Sequence, residues 1–155
     1  MSYMKVTFVC LGNICRSPMA EAIFTDLVKK AGLSEQIQVD SAGTNAISGM
    51  ATDERTLTIL QEHGIEPPQT AARQLRAKDF STSDYVIVMD KHNYLDAKRI
   101  APIELNAKIH SIYEQTPTKE DQVVIDPWYT NDFSTTYANL SEALPNWLNY
   151  LKTKL

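Results

Sequence analysis

The chain has 155 residues, 15 Lys plus Arg against 19 Asp plus Glu, a formal net charge of -4 and 43% hydrophobic residues. At about 100–200 residues per domain, that length specifies one domain over residues 1–155, large enough to bury a sizeable core. Mild acidity without a basic block excludes a broad electrostatic footprint for nucleic acid or an anionic membrane surface, so an anion has to be bound at a local site.

Residues 1–5 lead straight into a strand-like run rather than a charged, then apolar, then small-residue leader, and no stretch of about 18 apolar residues follows. A cytoplasmic location is expected. Met4-Lys5-Val6-Thr7-Phe8-Val9-Cys10 reads as the first strand and stops at Leu11-Gly12-Asn13, where glycine punctuates. Ser17-Pro18 then reads as an N-cap followed by the first helical position, with Glu21 in the first turn. Apolar residues at Ala20, Ile23, Phe24, Leu27, Val28 and Ala31 give the helix one buried face, and Gly32 ends it after Lys29 and Lys30.

A second strand over residues 37–43, a helix over 53–63 closed by Gly64, and an all-apolar strand at 85–89 that suits the centre of a sheet follow in order. A short helix over 94–100, a fourth strand at 108–112 and a final helix over 133–151 complete the pattern, with Pro145 expected to kink the last helix. Strands alternating with helices imply right-handed crossovers. The expected fold is therefore α/β: a three-layer α/β/α sandwich on a four-stranded parallel sheet, with a phosphate-binding loop after the first strand. Residues 113–132 carry neither helix nor strand signals and exceed the usual connection length, which makes them a candidate functional loop.

Open α/β sheets bind ligands at the carboxyl ends of their strands, and here the first strand delivers Cys10-Leu11-Gly12-Asn13-Ile14-Cys15-Arg16-Ser17 to that edge. A loop of this kind, with backbone N–H groups turned inward and a helix N-terminus behind it, cradles a tetrahedral anion. Arg16 would clamp two of the anion's oxygens through its planar fork. The same positive field favours the thiolate of Cys10, placing a nucleophile beneath the bound phosphate. Gly12 suits a position of close ligand approach or positive φ, and Asn13 tolerates the left-handed conformation while its side chain braces the loop. Alone, a cysteine six residues before Arg-Ser is matched by a core cysteine; the preceding strand and the following helix start supply the context that points to chemistry.

Dephosphorylation also requires a proton for the leaving oxygen. Asp126-Pro127-Trp128-Tyr129 lies in the long loop: proline restricts the backbone beside the carboxyl group, and the aromatics offer walls for a phenyl ring. Asp-Pro by itself is also a turn former.

The run Val9-Cys10-Leu11-Gly12-Asn13-Ile14-Cys15-Arg16-Ser17-Pro18-Met19-Ala20-Glu21 resembles the signature of the low-molecular-weight protein tyrosine phosphatases. Asp40-Ser41-Ala42-Gly43-Thr44, Ala72-Arg73-Gln74, Val88-Met89-Asp90, Asp126-Pro127 and Asn131-Asp132-Phe133 extend the resemblance along essentially the whole chain. It implies Cys10 as the nucleophile, Arg16 as the phosphate ligand and Asp126 as general acid, then base. Ser17 would donate to the Cys10 thiolate, and Asn13 with Ser41 would hold the loop's shape. No metal or organic cofactor is implied; the expected partner is a phosphotyrosine protein or a small aryl phosphate, acted on by a monomer. Cys15 resembles the family's second loop cysteine, a redox partner that traps an oxidised nucleophile as a disulfide. The alternative is that it packs as a small hydrophobe.

Two departures bear on specificity. Where the family places an aromatic wall between Gly43 and Asp53, this chain offers Ile47, leaving Ile47, Trp128 and Tyr129 to form the slot. Thr70 stands where the family often has a histidine bracing Asn13. Three further readings stay open: an arsenate reductase, whose relay uses two later cysteines that this chain lacks after Cys15; a phosphoarginine phosphatase, whose loop carries threonine in place of Ile14; and a silent phosphate-binding module, which needs neither thiolate nor acid.

Overall fold

Residues 3–155 are described by a computed structural model of the chain. β-Branched and aromatic residues dominate Met4–Cys10, which forms strand β1; Ile37–Gly43, Tyr85–Val88 and Ile109–Ser111 form β2, β3 and β4. All pairings are parallel, in the order β2-β1-β3-β4. The chain steps from β1 outward to β2 and then returns to β1's other side for β3. Strand order therefore reverses at β1 and β3, and the crevice beyond their carboxyl ends is the ligand position this topology creates.

Helices α1 (Arg16–Lys30), α2 (Glu54–Glu62) and α6 (Phe133–Lys152) belong with one face, while α3 (Ala77–Thr82) and α4 (Lys91–Ile100) belong with the other. The first core layer joins Val6 and Phe8 of β1 to Met19, Ile23 and Phe24 of α1 and to Leu140, Leu144 and Trp147 of α6. The opposite layer is smaller and packs Val9, Val86 and Val88 against Leu75, Phe80 and Ala97. A sheet covered on both faces explains why β3 reads as unbroken apolar sequence. α6 continues through Pro145 without interruption.

Gly32 and Gly64 close α1 and α2 at φ +72 and +69. In each case the glycine N–H and the next residue's N–H return to carbonyls of the last turn, Lys29 with Val28 and Gln61 with Leu60, so a residue free to adopt positive φ satisfies the helix end. Asp90, Asp53 and Asp132 cap α4, α2 and α6 through their side chains.

The start of α1 departs from expectation. Cys15 occupies the N-cap position with no side-chain cap, Ser17 and Pro18 lie inside the first turn, and Glu21 lies beyond it. Local propensity favoured a Ser cap, but Ser17's hydroxyl has a tertiary partner in β1. Three short elements also escaped the periodicity: α3, a 3-10 turn at Ile103–Lys108, and α5 (Pro127–Thr130) inside the long loop, each too brief to show a repeat. Among the described residues, no helix is long and apolar enough to cross a membrane.

Candidate active site

The loop after β1 is fixed from outside. The carbonyls of Cys10, Leu11 and Ile14 accept backbone N–H groups from Thr44, Asn45 and Asp53 at 2.9 Å, and that of Cys15 accepts the Thr56 hydroxyl at 3.3 Å. With these four carbonyls engaged by the scaffold, none of them competes with an anion beside the thiol of Cys10.

Asn13, at φ +56, takes the left-handed conformation that its short polar side chain tolerates. The Arg73 N–H donates to its Oδ1 at 3.0 Å, which fixes the amide orientation. Its two Nδ2 hydrogens therefore go to Ser17 Oγ at 2.8 Å and Ser41 Oγ at 2.9 Å. Ser41, already an acceptor, sends its own hydrogen to Glu21 Oε1 at 2.5 Å. Ser17 likewise has its hydrogen free for Cys10 Sγ at 3.0 Å, with the Ala42 carbonyl a longer alternative at 3.4 Å. The order of donors follows from what each group can offer, and Glu21 anchors its outer end. Burial raises the carboxyl pKa of Glu21, opposed by the Ser41 hydrogen bond.

The glycine that packing requires is Gly43, not Gly12. Gly12 has no positive φ, and a Cβ there would meet only the Ile14 side chain at 3.8 Å. A Cβ on Gly43 would lie 2.6 Å from the Leu11 carbonyl and 3.0 Å from the Asn13 nitrogen, both backbone atoms of the phosphate loop.

Arg16 is 2% exposed, and a buried guanidinium requires partners. Its Nη1 donates to Asp90 Oδ2 at 2.6 Å and to the Val124 carbonyl at 2.9 Å, while Nη2 lies 3.5 Å from Asp126 Oδ2. Asp90 uses its other oxygen to cap α4 through Asn93 N–H, so the carboxylate orienting Arg16 is itself held. Asp126 caps α5 by accepting the Trp128 N–H at 3.0 Å. Cys10, Arg16 and Asp126 line one cleft of about 180 Å³, walled by Leu11, Ile14, Trp128 and Tyr129.

A family model for low molecular weight phosphotyrosine protein phosphatases matches residues 5–155. The chain belongs to that family. It is 40% identical over 149 residues to the low molecular weight phosphotyrosine protein phosphatase of Schizosaccharomyces pombe, covering 94% of this chain and 95% of the relative. With the protein of that name from Homo sapiens it shares 42% over 138 residues, 86% of each. The crystal structure of YfkJ from Bacillus subtilis superposes at a TM-score of 0.95 and 35% identity, covering 99% of this chain and 98% of that one.

Within this phosphatase the predicted residues divide. The structure brings Cys10, Leu11, Gly12, Ile14, Cys15, Arg16, Asp126, Trp128 and Tyr129 to one cleft, with Asn13, Ser17 and Ser41 in the hydrogen-bond chain behind it. Ile47 is 70% exposed and does not line this cleft; its segment is tied back to Ala72 through Gly49 and Met50. The apolar walls on the loop side are Leu11 and Ile14. Thr70 is exposed and makes none of Asn13's hydrogen bonds; the backbone N–H of Arg73 supplies that bracing. Cys10 and Cys15 are both free thiols, and burial, reinforced by Asp53, pushes Cys15 up to about 12.

Three contributors were missed as functional residues. Asp90 was readable in principle, since it follows the central strand's carboxyl end. Glu21 lies in the run that carries the resemblance, but nothing local ties it to Ser41, and the Val124 carbonyl carries no local signal; the tertiary structure brings both to the site.

Proposed function

We propose that this phosphatase hydrolyses phosphotyrosine and other aryl phosphate monoesters through a covalent phosphocysteine. Cys10 Sγ, as thiolate, attacks phosphorus while the bond to the phenolic oxygen breaks and Asp126 gives that oxygen its proton. The Asp126 carboxylate then takes a proton from water as its oxygen attacks phosphorus; the S–P bond breaks and the thiolate returns. Inward N–H groups, the uncapped start of α1 and the Arg16 guanidinium bind the equatorial oxygens, their positions set before charge develops. Nucleophile, acid and anion clamp in this reading all come from one chain.

The reading rests chiefly on Cys10, Arg16 and Asp126 lining one cleft whose walls are apolar and aromatic, a setting suited to a phenyl ring. Cys10→Ser is expected to abolish p-nitrophenyl phosphate turnover while inorganic phosphate still binds in calorimetry. Undiminished turnover in that variant overturns the proposal.

A further inference from the structure

The segment carrying Asp126 is an arch gripped at both feet. At one foot, Val124 donates its N–H to the Met89 carbonyl at 3.0 Å, and its own carbonyl accepts from Arg16 Nη1 at 2.9 Å. The other foot is Asn131, which closes α5 at φ +60 and gives its N–H to Pro127 at 2.7 Å. Arg55, near the start of α2, reaches this second foot: its Nη1 donates to Asn131 Oδ1 at 2.8 Å. Its guanidinium also lies 5.4 Å from the Trp128 ring centroid and 4.6 Å from that of Phe133.

The rest of the Arg55 fork is turned toward the phosphate loop. Nε and Nη2 donate to the two oxygens of Asp53 at 3.0 and 2.9 Å. Those hydrogen bonds hold the Asp53 carboxyl below the usual carboxylate range. Asp53 in turn donates its backbone N–H to the Ile14 carbonyl at 2.9 Å. One planar side chain thus ties the cradle that positions phosphorus to the arch that positions the proton donor. Lysine, with a point charge and no fork, cannot make both connections.

We propose that Arg55 is a positioning residue for the acid step: through Asp53 and Asn131 it sets the location of Asp126 relative to the phosphate loop without touching substrate. The inference rests on the reading of Asp126 as general acid. A misplacement of about 1 Å costs on the order of a hundredfold when it falls on a reacting group, whereas a group needed only for overall packing would affect all substrates alike.

The test compares kcat/KM for aryl phosphates whose phenols span a wide pKa range in Arg55→Met, Asn131→Ala, Asp126→Asn and Arg55→Met combined with Asp126→Asn. Asn131→Ala cuts the same tie at its exposed end and leaves the Arg55–Asp53 pair intact, so it carries the test if Arg55→Met folds poorly. Each single variant at the tie is expected to lose about tenfold with phenyl phosphate and less than about twofold with dinitrophenyl phosphate, whose leaving group needs no proton. Inhibition by inorganic phosphate is expected to stay unchanged, and Arg55→Met is expected to cost nothing further once Asp126 is Asn. A uniform loss across leaving groups, weakened phosphate inhibition, or losses that add in the double variant overturns the proposal. If Asp126→Asn itself leaves the leaving-group dependence unchanged, the acid assignment fails first, and the role of Arg55 fails with it.

Discussion

Ser17 lies one hydroxyl away from Cys10, and the chain of donors behind it leaves that hydroxyl only one strong acceptor. If Cys10 reacts as the thiolate proposed above, Ser17→Ala removes a hydrogen bond to a charged group, worth about 1.5–3 kcal/mol. Alkylation of Cys10 by iodoacetamide at pH 6 is expected to slow by at least about tenfold, followed by mass spectrometry of the labelled peptide; an unchanged rate would mean that Ser17 does not support the thiolate. The neighbouring Cys15 behaves in the opposite way. Burial pushes its folded pKa up to about 12, above the ordinary thiol value of 9.0, so the unfolded chain releases that proton first as pH rises. The folded state is thus not penalised below about pH 9, and Cys15 lowers stability progressively as pH climbs from 9 toward 12. Urea midpoints of wild type and Cys15→Ala at pH 8 and pH 10.5 are expected to show a smaller alkaline loss in the variant. The same protonation keeps Cys15 a weak nucleophile at neutral pH. If Cys15 is the redox partner that the resemblance implies, it condenses with a Cys10 sulfenic acid, releasing water and forming a disulfide that added thiol reverses. Replacing Cys15 with Ser is expected to make peroxide inactivation irreversible.

Between elements, two kinds of glycine separate stability from chemistry. Nothing stands within 4 Å of a Cβ built on Gly32 at φ +72, so Gly32→Ala meets only the backbone cost of the left-handed conformation, about 1 kcal/mol. Activity should be untouched and the denaturant midpoint lowered. At Gly43 the obstruction is the phosphate loop's own backbone. Gly43→Ala is expected to cost about 1–3 kcal/mol in stability and also to weaken inhibition by inorganic phosphate; unchanged inhibition would show that the loop accommodates the methyl group without moving. The sequence made the first kind visible, because Gly32 follows two lysines at the end of an apolar repeat. Gly43 reads only as a strand terminus. Its constraint arises across the parallel β1–β2 pair, where Cys10 and Gly43 are register partners, and no local pattern records that contact. The same limit explains Ser17: a Ser-Pro pair has a strong local preference for capping, overridden here by a thiol seven residues earlier.

For the molecule as a whole, the order of helices and strands, the sheet's central apolar strand and the two-sided core were legible from periodicity, because those features repeat over many residues. The phosphate loop was legible because it is contiguous. What was not legible is how distant segments orient the loop's groups: Asp90 and Val124 on Arg16, Glu21 on Ser41, Arg55 between cradle and arch. A ligand that binds only the assembled site reports on all of these at once. Inorganic phosphate at about a hundred times its Kd is expected to add about 2.7 kcal/mol to unfolding free energy, with Arg16→Ala removing the gain.

Arg16 meets Val124 across 108 residues and Asp126 across 110. That separation gives the site a timetable during synthesis, when chains emerge at about 5–20 residues per second. β1, α1 and β2 leave the ribosome first, yet β1 lacks its inner neighbour until residues 85–88 appear. Several seconds more must pass before the arch that carries Asp126 exists. A nascent chain stopped after β4 holds every strand of the sheet, a thiol at its edge and Asp90, but lacks Asp126, the proton donor proposed above.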